Sequence, residues 1–265
     1  MGAGHDHGPI TAGAANSRRL ALVLGLMLVV AVVQVTGATF SGSLALLADA
    51  GHTVTDSFGV ALALAAVWIA ARPATSKRTF GFQRAEILAA AVNAIVLFAL
   101  CAFIVVEAVD RLRDPAEVSG LGMVVVAAFG LVMNIVAMLV LRSGAKESLN
   151  VKGAYLEVMS DALASVGVIV GGLIVWLTGW QQADTLVSLG IAAIIVPRAW
   201  ALLKEAVHVL LEATPKGMDL SEVREHLMNH PAVIDVHDLH AWTITSGVPV
   251  MSAHVVVAED DLRDS

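Results

Sequence analysis

The sequence predicts an all-α membrane protein with six transmembrane helices, followed by a small α/β domain. Two observations lead to this fold class. Of the 265 residues, 57% are hydrophobic and 15% are charged, and the mean hydropathy is +0.79; soluble domains contain about 25% charged residues. The apolar residues also fall into six separate windows of about 20 residues, the length at which a helix crosses a bilayer.

Three segments organise the chain. Residues 1–19 are small and polar and are predicted to be a disordered cytoplasmic N-terminal tail, residues 20–211 a six-helix transmembrane domain, and residues 212–265 a cytoplasmic α/β domain. The six spans are predicted at residues 20–40, 44–71, 86–108, 119–141, 151–176 and 182–203.

Basic residues are distributed unevenly among the connectors between these spans. The third connector carries Arg111 and Arg113, and the first and fifth carry no Lys or Arg. The N-terminus and the second and fourth connectors carry nine basic residues: Arg18, Arg19, Arg72, Lys77, Arg78, Arg84, Arg142, Lys146 and Lys152. Because Lys and Arg are enriched in cytoplasmic loops, we expect a multi-pass protein of the cell (inner) membrane with both termini in the cytoplasm.

The character of the sequence changes after Pro215. The stretch MDLSEVREHLMNHPAV predicts a soluble helix with Asp219 or Ser221 as its N-cap and an end near Asn229. The stretches IDVHDLHAWTI and VPVMSAHVVV predict two strands joined by a turn at Ser246-Gly247.

Several functional classes are excluded by composition. The single cysteine, Cys101, lies in an apolar run, which rules out a disulfide framework and a thiolate metal site. The formal charge of the chain is −7, and the sequence contains no basic patch that would indicate a nucleic-acid partner. The sequence contains no P-loop pattern, which a nucleotide-driven pump would need.

Ionisable residues inside the second span need an explanation. His52 and Asp56 are four residues apart, which places them on one face of the helix, and Asp49 belongs to the same stripe. A charged side chain at the centre of a membrane helix costs about 2.5–3.5 kcal/mol on insertion scales. An isolated residue of this kind can serve as a structural hydrogen-bonding group, but a matched set predicts a functional site.

The fifth span repeats the arrangement, because Glu157 and Asp161 are also four residues apart. If the two helices touch, the two pairs provide four nitrogen and oxygen donors, the number that a tetrahedral divalent cation needs. Imidazole and carboxylate without thiolate suit Zn²⁺, Co²⁺, Fe²⁺ or Mn²⁺ better than Cu⁺. Gly167 and Gly171 form a GxxxG face on the fifth span, which favours its close approach to the second span. Asp49 is a candidate for a carboxylate that lies near these ligands without binding the ion itself.

Four motifs in order resemble the cation diffusion facilitator family, and most closely its bacterial zinc, cobalt and cadmium efflux branch: LLADAGHTVTD, FGFQRAEILAA, NVKGAYLEVMSDALASVGVI and VHDLHAW. The resemblance covers nearly the whole chain after residue 17. It implies six transmembrane helices with a cytoplasmic ferredoxin-like domain, a homodimer in the bilayer, and a transport site. Carried over by motif, that site falls on His52, Asp56, Glu157 and Asp161.

The resemblance also implies what the protein transports. Zn²⁺, or Co²⁺ or Cd²⁺, is the expected substrate, H⁺ the expected counter-ion, and no cofactor is bound permanently. Glu157 stands where many zinc-transporting relatives have His, which keeps a preference for Fe²⁺ or Mn²⁺ as an alternative. The family's cytoplasmic domain continues with a further helix and strand that this sequence does not reach, so the domain is expected to be incomplete.

Three histidines form a second candidate site. His237 and His254 match positions where relatives bind regulatory metal, and His240 lies in the adjacent HDLH run. In a regular strand, residues three apart face opposite sides, so His237 and His240 share a face only if the strand bends. A non-transporting metal sensor is one alternative that this site suggests, although it leaves the membrane pairs unexplained. An intramembrane metalloenzyme is another, but neither HExxH nor a di-iron Glu-x-x-His pair occurs.

Overall fold

Seven helices and two strands follow one another in the computed structural model, which describes residues 10–143, 149–245 and 247–258. The elements are α1 (Ile10–Ser41), α2 (Leu44–Ala70), α3 (Ala85–Arg113), α4 (Gly120–Leu141), α5 (Leu149–Thr178), α6 (Gln182–Leu210), α7 (Leu220–Met228), β1 (Val233–Thr243) and β2 (Pro249–Val257). The first six helices are each long and apolar enough to cross a membrane, which confirms the predicted spans.

The N-terminal boundary of α1 differs from the prediction. The helix begins at Ile10, so residues 10–19 are helical rather than disordered. The part of α1 that is long and apolar enough to span a membrane is Arg19–Ser41. This stretch contains several alanines and no proline, and extending an existing helix avoids the cost of nucleation. The remainder of the predicted tail, residues 1–9, lies outside the described residues.

The chain divides into two compact units, one formed by residues up to Val60 with Ile95–Ala199, and the other by Ala61–Ala94 with residues from Trp200 onward. In the first unit, alanines such as Ala45, Ala48 and Ala127 make up a large share of the buried core. Large apolar side chains point outward instead, as Leu139 and Leu163 do, each with more than half of its surface exposed. This inversion suits a bundle surrounded by lipid, because small residues let helix backbones approach closely.

The closest helix contact of the first unit joins α4 to α5. A Cβ added to Gly120 would lie 2.5 Å from the backbone nitrogen of Trp176 and 2.7 Å from the carbonyl oxygen of Gly172. A Cβ on Gly172 would meet the side chain of Val124 at 2.8 Å. Both positions therefore require glycine, and they fix where α5 lies against its neighbour.

The predicted role of the GxxxG face is wrong in detail. Gly171 faces Val187 of α6 and Met123 of α4, and a Cβ on Gly167 would meet no atom within 4 Å. The pair therefore does not bring α5 onto α2. Residue spacing identified a face of small residues on α5 but not the helix that packs against it, because any helix of the bundle can pack against such a face.

A buried carboxylate anchors the start of α2. One Asp184 oxygen accepts hydrogen bonds from Ser43 Oγ at 2.6 Å and the Ala45 N–H at 3.1 Å, and the other accepts from the Leu44 N–H at 2.7 Å. Arg111 Nη1 lies 3.9 Å from the same carboxylate. Asp184 thus caps the otherwise unpaired N–H groups of α2, the helix that carries His52, from the first turn of α6.

The second unit contains the C-terminal elements. Asp219 caps α7, because its carboxylate accepts from the Ser221 N–H at 2.8 Å, which decides between the two predicted caps. Strands β1 and β2 pair antiparallel, with Val233 opposite Val257 and Thr243 opposite Pro249. The α/β character of this segment and its two-stranded hairpin are therefore confirmed.

We predict that Asp184→Ala lowers the free energy of unfolding by at least about 2 kcal/mol, because it removes a helix cap and leaves buried N–H groups unpaired. Thermal unfolding of the purified protein in detergent measures this. Asp114→Ala, which removes an exposed carboxylate from the connector after α3, serves as the control. Equal transition temperatures for the two variants would contradict this role of Asp184.

Candidate metal centre

The two pairs of ionisable residues in the spans face each other across α2 and α5. His52 Nε2 lies 3.3 Å from Asp56 Oδ2 on its own helix and 3.8 Å from Asp161 Oδ1 on α5. Glu157 of α5 lies near enough for its charge to act on both His52 and Asp161. His52 and Asp161 are buried, Asp56 is half-buried and Glu157 is exposed. The structure therefore brings all four predicted site residues together.

Two polar atoms of this cluster lack hydrogen-bond partners. Nδ1 of His52 and Oδ2 of Asp56 are buried and unpaired, and the 3.3 Å approach of His52 Nε2 to Asp56 Oδ2 does not have hydrogen-bond geometry. A buried polar atom without a partner costs about 1–3 kcal/mol. Two such atoms on residues that share one helix face indicate a site that is built to receive another group.

The separations suit a small cation. Metal–ligand distances of about 2.0–2.2 Å in a tetrahedral site place the ligand atoms roughly 3.4 Å apart. The 3.3 Å and 3.8 Å separations around His52 Nε2 lie close to this value. Nitrogen and oxygen donors of this kind accept Zn²⁺ and neighbouring divalent metals.

A cavity of about 420 Å³ opens beside the cluster between α5 and α6. His52 and Asp161 line it together with Gly167, Ser160 and Arg198. The Arg198 Nη2 atom donates a hydrogen bond of 2.8 Å to Ser160 Oγ. Sequence reasoning missed Arg198, although a guanidinium that directly follows a proline inside an apolar span is a visible signal.

Asp49 does not contact the imidazole directly. Its carboxylate accepts a hydrogen bond of 2.5 Å from Gln34 Nε2 of α1, and both residues are buried. Its charge acts on Asp161, which connects it electrostatically to the cluster. Asp49 therefore lies near the four residues and is bonded to Gln34 rather than to any of them.

The second candidate site is a cluster of His237, Asp238 and His254. The Nδ1 atoms of the two histidines lie 3.1 Å and 3.3 Å from Asp238 Oδ2, and their rings meet edge to face with centroids 5.2 Å apart. Within the described chain, these three residues form the group whose candidate ligand atoms all lie within 4.8 Å of one another.

A strand irregularity decides which histidines meet. His237 pairs with His254, but the register shifts before His240, which pairs with Ser252, and Asp238 has a φ of +51°. This bulge turns the Asp238 carboxylate toward both imidazoles and leaves His240 outside the cluster. Asp238 was missed in the sequence because a bulge cannot be seen in residue spacing.

The pKa of the Asp238 carboxyl is held below its ordinary value, first by the hydrogen bond from His237 and next by the charge of that histidine. His254 and His240 contribute smaller charge effects in the same direction. The cluster therefore presents an ionised carboxylate, which is the form that a metal ion requires.

Six potential spans that place an imidazole and carboxylates around one point define an integral membrane protein that handles divalent cations. Comparison with known families agrees with this class. Residues 20–211 match the cation efflux transmembrane domain and residues 215–265 match the cation efflux protein cytoplasmic domain. The chain belongs to the cation efflux family, which confirms its resemblance to the cation diffusion facilitators.

Three relatives illustrate this similarity. The chain is 47% identical over 256 residues to the metal cation efflux system protein CzcD of Cupriavidus metallidurans, covering 97% of this chain and 80% of the relative. It is 42% identical to the zinc transporter ZitB of Escherichia coli, covering 91% and 78%. It is 36% identical to the cadmium, cobalt and zinc/H(+)-K(+) antiporter of Bacillus subtilis, covering 100% and 84%.

We predict that His237→Ala raises the pKa of Asp238 toward the unperturbed value of about 3.9, and does so more than His254→Ala. Carboxyl ¹³C NMR titration of the labelled protein measures both, with His226→Ala of α7 as the control. Because this pKa is depressed by folding, its contribution to stability is present above the unfolded value and is lost as pH falls through the folded one. A larger effect of His254→Ala would contradict the assigned geometry.

Proposed function

We propose that this protein is a divalent metal cation efflux transporter that exports Zn²⁺, and also Co²⁺ and Cd²⁺, from the cytoplasm in exchange for H⁺. The observation that carries the proposal is the pair of facing helices, α2 and α5, whose His52 and Asp56 present unpaired buried atoms beside Asp161. The names of the relatives, which include a zinc transporter and a cadmium, cobalt and zinc antiporter, support the same substrates.

His52, Asp56, Glu157 and Asp161 are the proposed ligands of the transported ion. Each contributes one nitrogen or oxygen donor, and together they complete a tetrahedral set with two ligands from each helix. The cluster is therefore sensitive to any movement of α2 against α5. Asp49, bonded to Gln34, supports the set without touching the ion.

Competition between metal and protons couples the two ions. An imidazole must lose its proton before it can bind a metal ion, so H⁺ and the divalent cation exclude each other at His52. Exporting a dication against an inside-negative potential costs about 4.6 kcal/mol per 100 mV. Protons moving inward supply this energy, provided that the site faces one side of the membrane at a time, as alternating access requires.

The orientation of the protein follows from its connectors. The N-terminus and the second and fourth connectors carry most of the Lys and Arg, so they face the cytoplasm, and both chain termini lie there. Metal therefore enters the site from the cytoplasm. Like the family's cytoplasmic domain, the α7–β2 segment is proposed to assemble the chain into a homodimer.

The cluster of His237, Asp238 and His254 is a proposed second metal site outside the membrane. Two imidazoles and a carboxylate leave a fourth position open to water or to a further ligand. All three side chains are exposed, so an ion exchanges freely with the cytoplasm. His240, which the hairpin places outside the cluster, is not part of this site.

Two other functions are weaker explanations. A transporter that prefers Fe²⁺ or Mn²⁺ fits the carboxylate-rich donor set, but the names of the relatives favour zinc, cobalt and cadmium. An intramembrane metalloenzyme would share the buried metal ligands. The matched family and the relatives are transporters by name, which favours transport.

We predict that Asp161→Ala abolishes metal-dependent flux in proteoliposomes while the protein still inserts, because a tetrahedral site has no ligand to spare. Zn²⁺ uptake with and without a pH gradient is the measurement. Asp114→Ala is the matched control and retains flux. Undiminished transport by Asp161→Ala would remove α5 from the site.

We predict that Glu157→His narrows selectivity toward Zn²⁺ and Cd²⁺, because a second imidazole replaces a harder oxygen donor. The measurement is competitive flux of Zn²⁺ against Co²⁺ and Mn²⁺ in wild type and variant. An unchanged flux ratio would mean that Glu157 does not contact the transported ion.

A further inference from the structure

The proposed transport site carries an excess of negative charge that its four ligands cannot balance. Asp56, Glu157 and Asp161 bring three carboxylates, and His52 binds metal only in its neutral form. A bound dication therefore leaves one formal negative charge. An uncompensated charge at this depth is expensive, so the surrounding helices are expected to supply a positive one.

Arg198 of α6 occupies the position from which such a charge acts. Its guanidinium lines the same cavity as His52 and Asp161, and it donates to Ser160, the residue that precedes Asp161 on α5. Its charge acts on each of the four proposed ligands, His52, Asp56, Glu157 and Asp161. No other Lys or Arg lines this cavity in the described part of the chain.

The local structure holds Arg198 in place. Pro197 lies inside α6, where it lacks the N–H that would bond to the preceding turn. This stretch of α6 is therefore locally weakened, and the Arg198 guanidinium is held by its bond to Ser160 Oγ. Among the residues that the structure describes, no carboxylate forms an ion pair with it. A guanidinium stays protonated at every physiological pH, so this charge does not change during the transport cycle.

We propose that Arg198 is the fixed countercharge of the transport site, and that its repulsion of the bound dication keeps metal affinity low enough for rapid release. The inference rests on the proposed function and extends it to a residue of α6. Arg198 does not ligate the ion. It neutralises the site formed by three carboxylates and sets how tightly that site holds its substrate.

The test is calorimetric titration of Zn²⁺ into the purified full-length protein carrying His254→Ala, which removes the cytoplasmic cluster from the signal. Adding Arg198→Gln is expected to tighten Zn²⁺ binding by at least about tenfold, because a repulsive charge near the ion disappears. In proteoliposomes, KM and kcat for Zn²⁺ both fall, since release becomes slow. Arg198→Lys, which retains the charge, keeps the affinity of the parent.

Two further variants exclude a merely structural role. Lys204→Gln removes a positive charge from the same helix outside the cavity and leaves affinity unchanged. Glu157→Gln weakens Zn²⁺ binding, and combining it with Arg198→Gln recovers affinity, because the two changes remove opposite charges. Loss of helix packing would weaken binding in every combination and cannot produce this rescue.

The outcomes separate the inference from the function on which it rests. If Arg198→Gln binds Zn²⁺ as the parent does, or more weakly while remaining monodisperse, the countercharge role is overturned. If Arg198→Gln does not fold, Arg198→Met, whose long apolar side chain suits a membrane helix, is expected to show the same tightening. If Asp161→Ala in this titration still binds Zn²⁺ like the parent, the transport site itself is overturned.

Discussion

The cost of placing ionisable side chains among apolar helices governs the architecture of this protein. His52 and Asp161 lie inside helices that are long and apolar enough to cross a membrane, and both are buried. Each is tolerated because the other lies within 3.8 Å across the helix interface. The same pairing that reduces the cost of burial also produces a set of donors with unpaired atoms. If the cluster binds a metal ion as proposed, stability and function place opposite demands on it, since complete internal pairing would leave no donor atom for the ion.

The positions of α2 and α5 depend on contacts far along the chain from the site. Asp184 fixes the first turn of α2, eight residues before His52, through hydrogen bonds to two backbone N–H groups and one hydroxyl. Gly120 and Gly172 allow the backbones of α4 and α5 to touch, which fixes the helix that carries Asp161. Both helices are thus anchored by contacts that involve no site residue. Anchors of this kind leave the ligand-bearing turns free to respond to the occupant of the site.

The two candidate metal sites are built on different principles. In the membrane, helical spacing alone orients the ligands, because residues four apart share a face. In the hairpin, the strand period of two would separate neighbouring ligands, and the bulge at Asp238 overcomes this limit. The membrane cluster borders a cavity, whereas His237 and His254 are exposed. The proposed transport site therefore depends on helix packing and the proposed regulatory site on local backbone geometry.

The sequence by itself determined the six potential spans, the position of the hairpin and the two pairs of candidate ligands, because hydrophobic length and helical period are local properties. His52 with Asp56, and Glu157 with Asp161, could be identified from spacing alone. The sequence could not determine which helices meet, so the assignment of the Gly167 and Gly171 face to α2 was wrong. Nor could it show that α1 extends to Ile10, where weak helix propensity is helped by an adjoining span.

Only the tertiary structure decided the contributions of Asp184, Arg198 and Asp238. Asp184 is 140 residues from the N–H group of Leu44 that it caps, and no periodicity relates the two. The charge of Arg198 acts on proposed ligands carried by two other helices, and Asp238 joins two histidines through a bulge that breaks the strand period. Each of these contacts arises from packing between segments distant in sequence or from an irregular backbone, and local residue patterns contain neither.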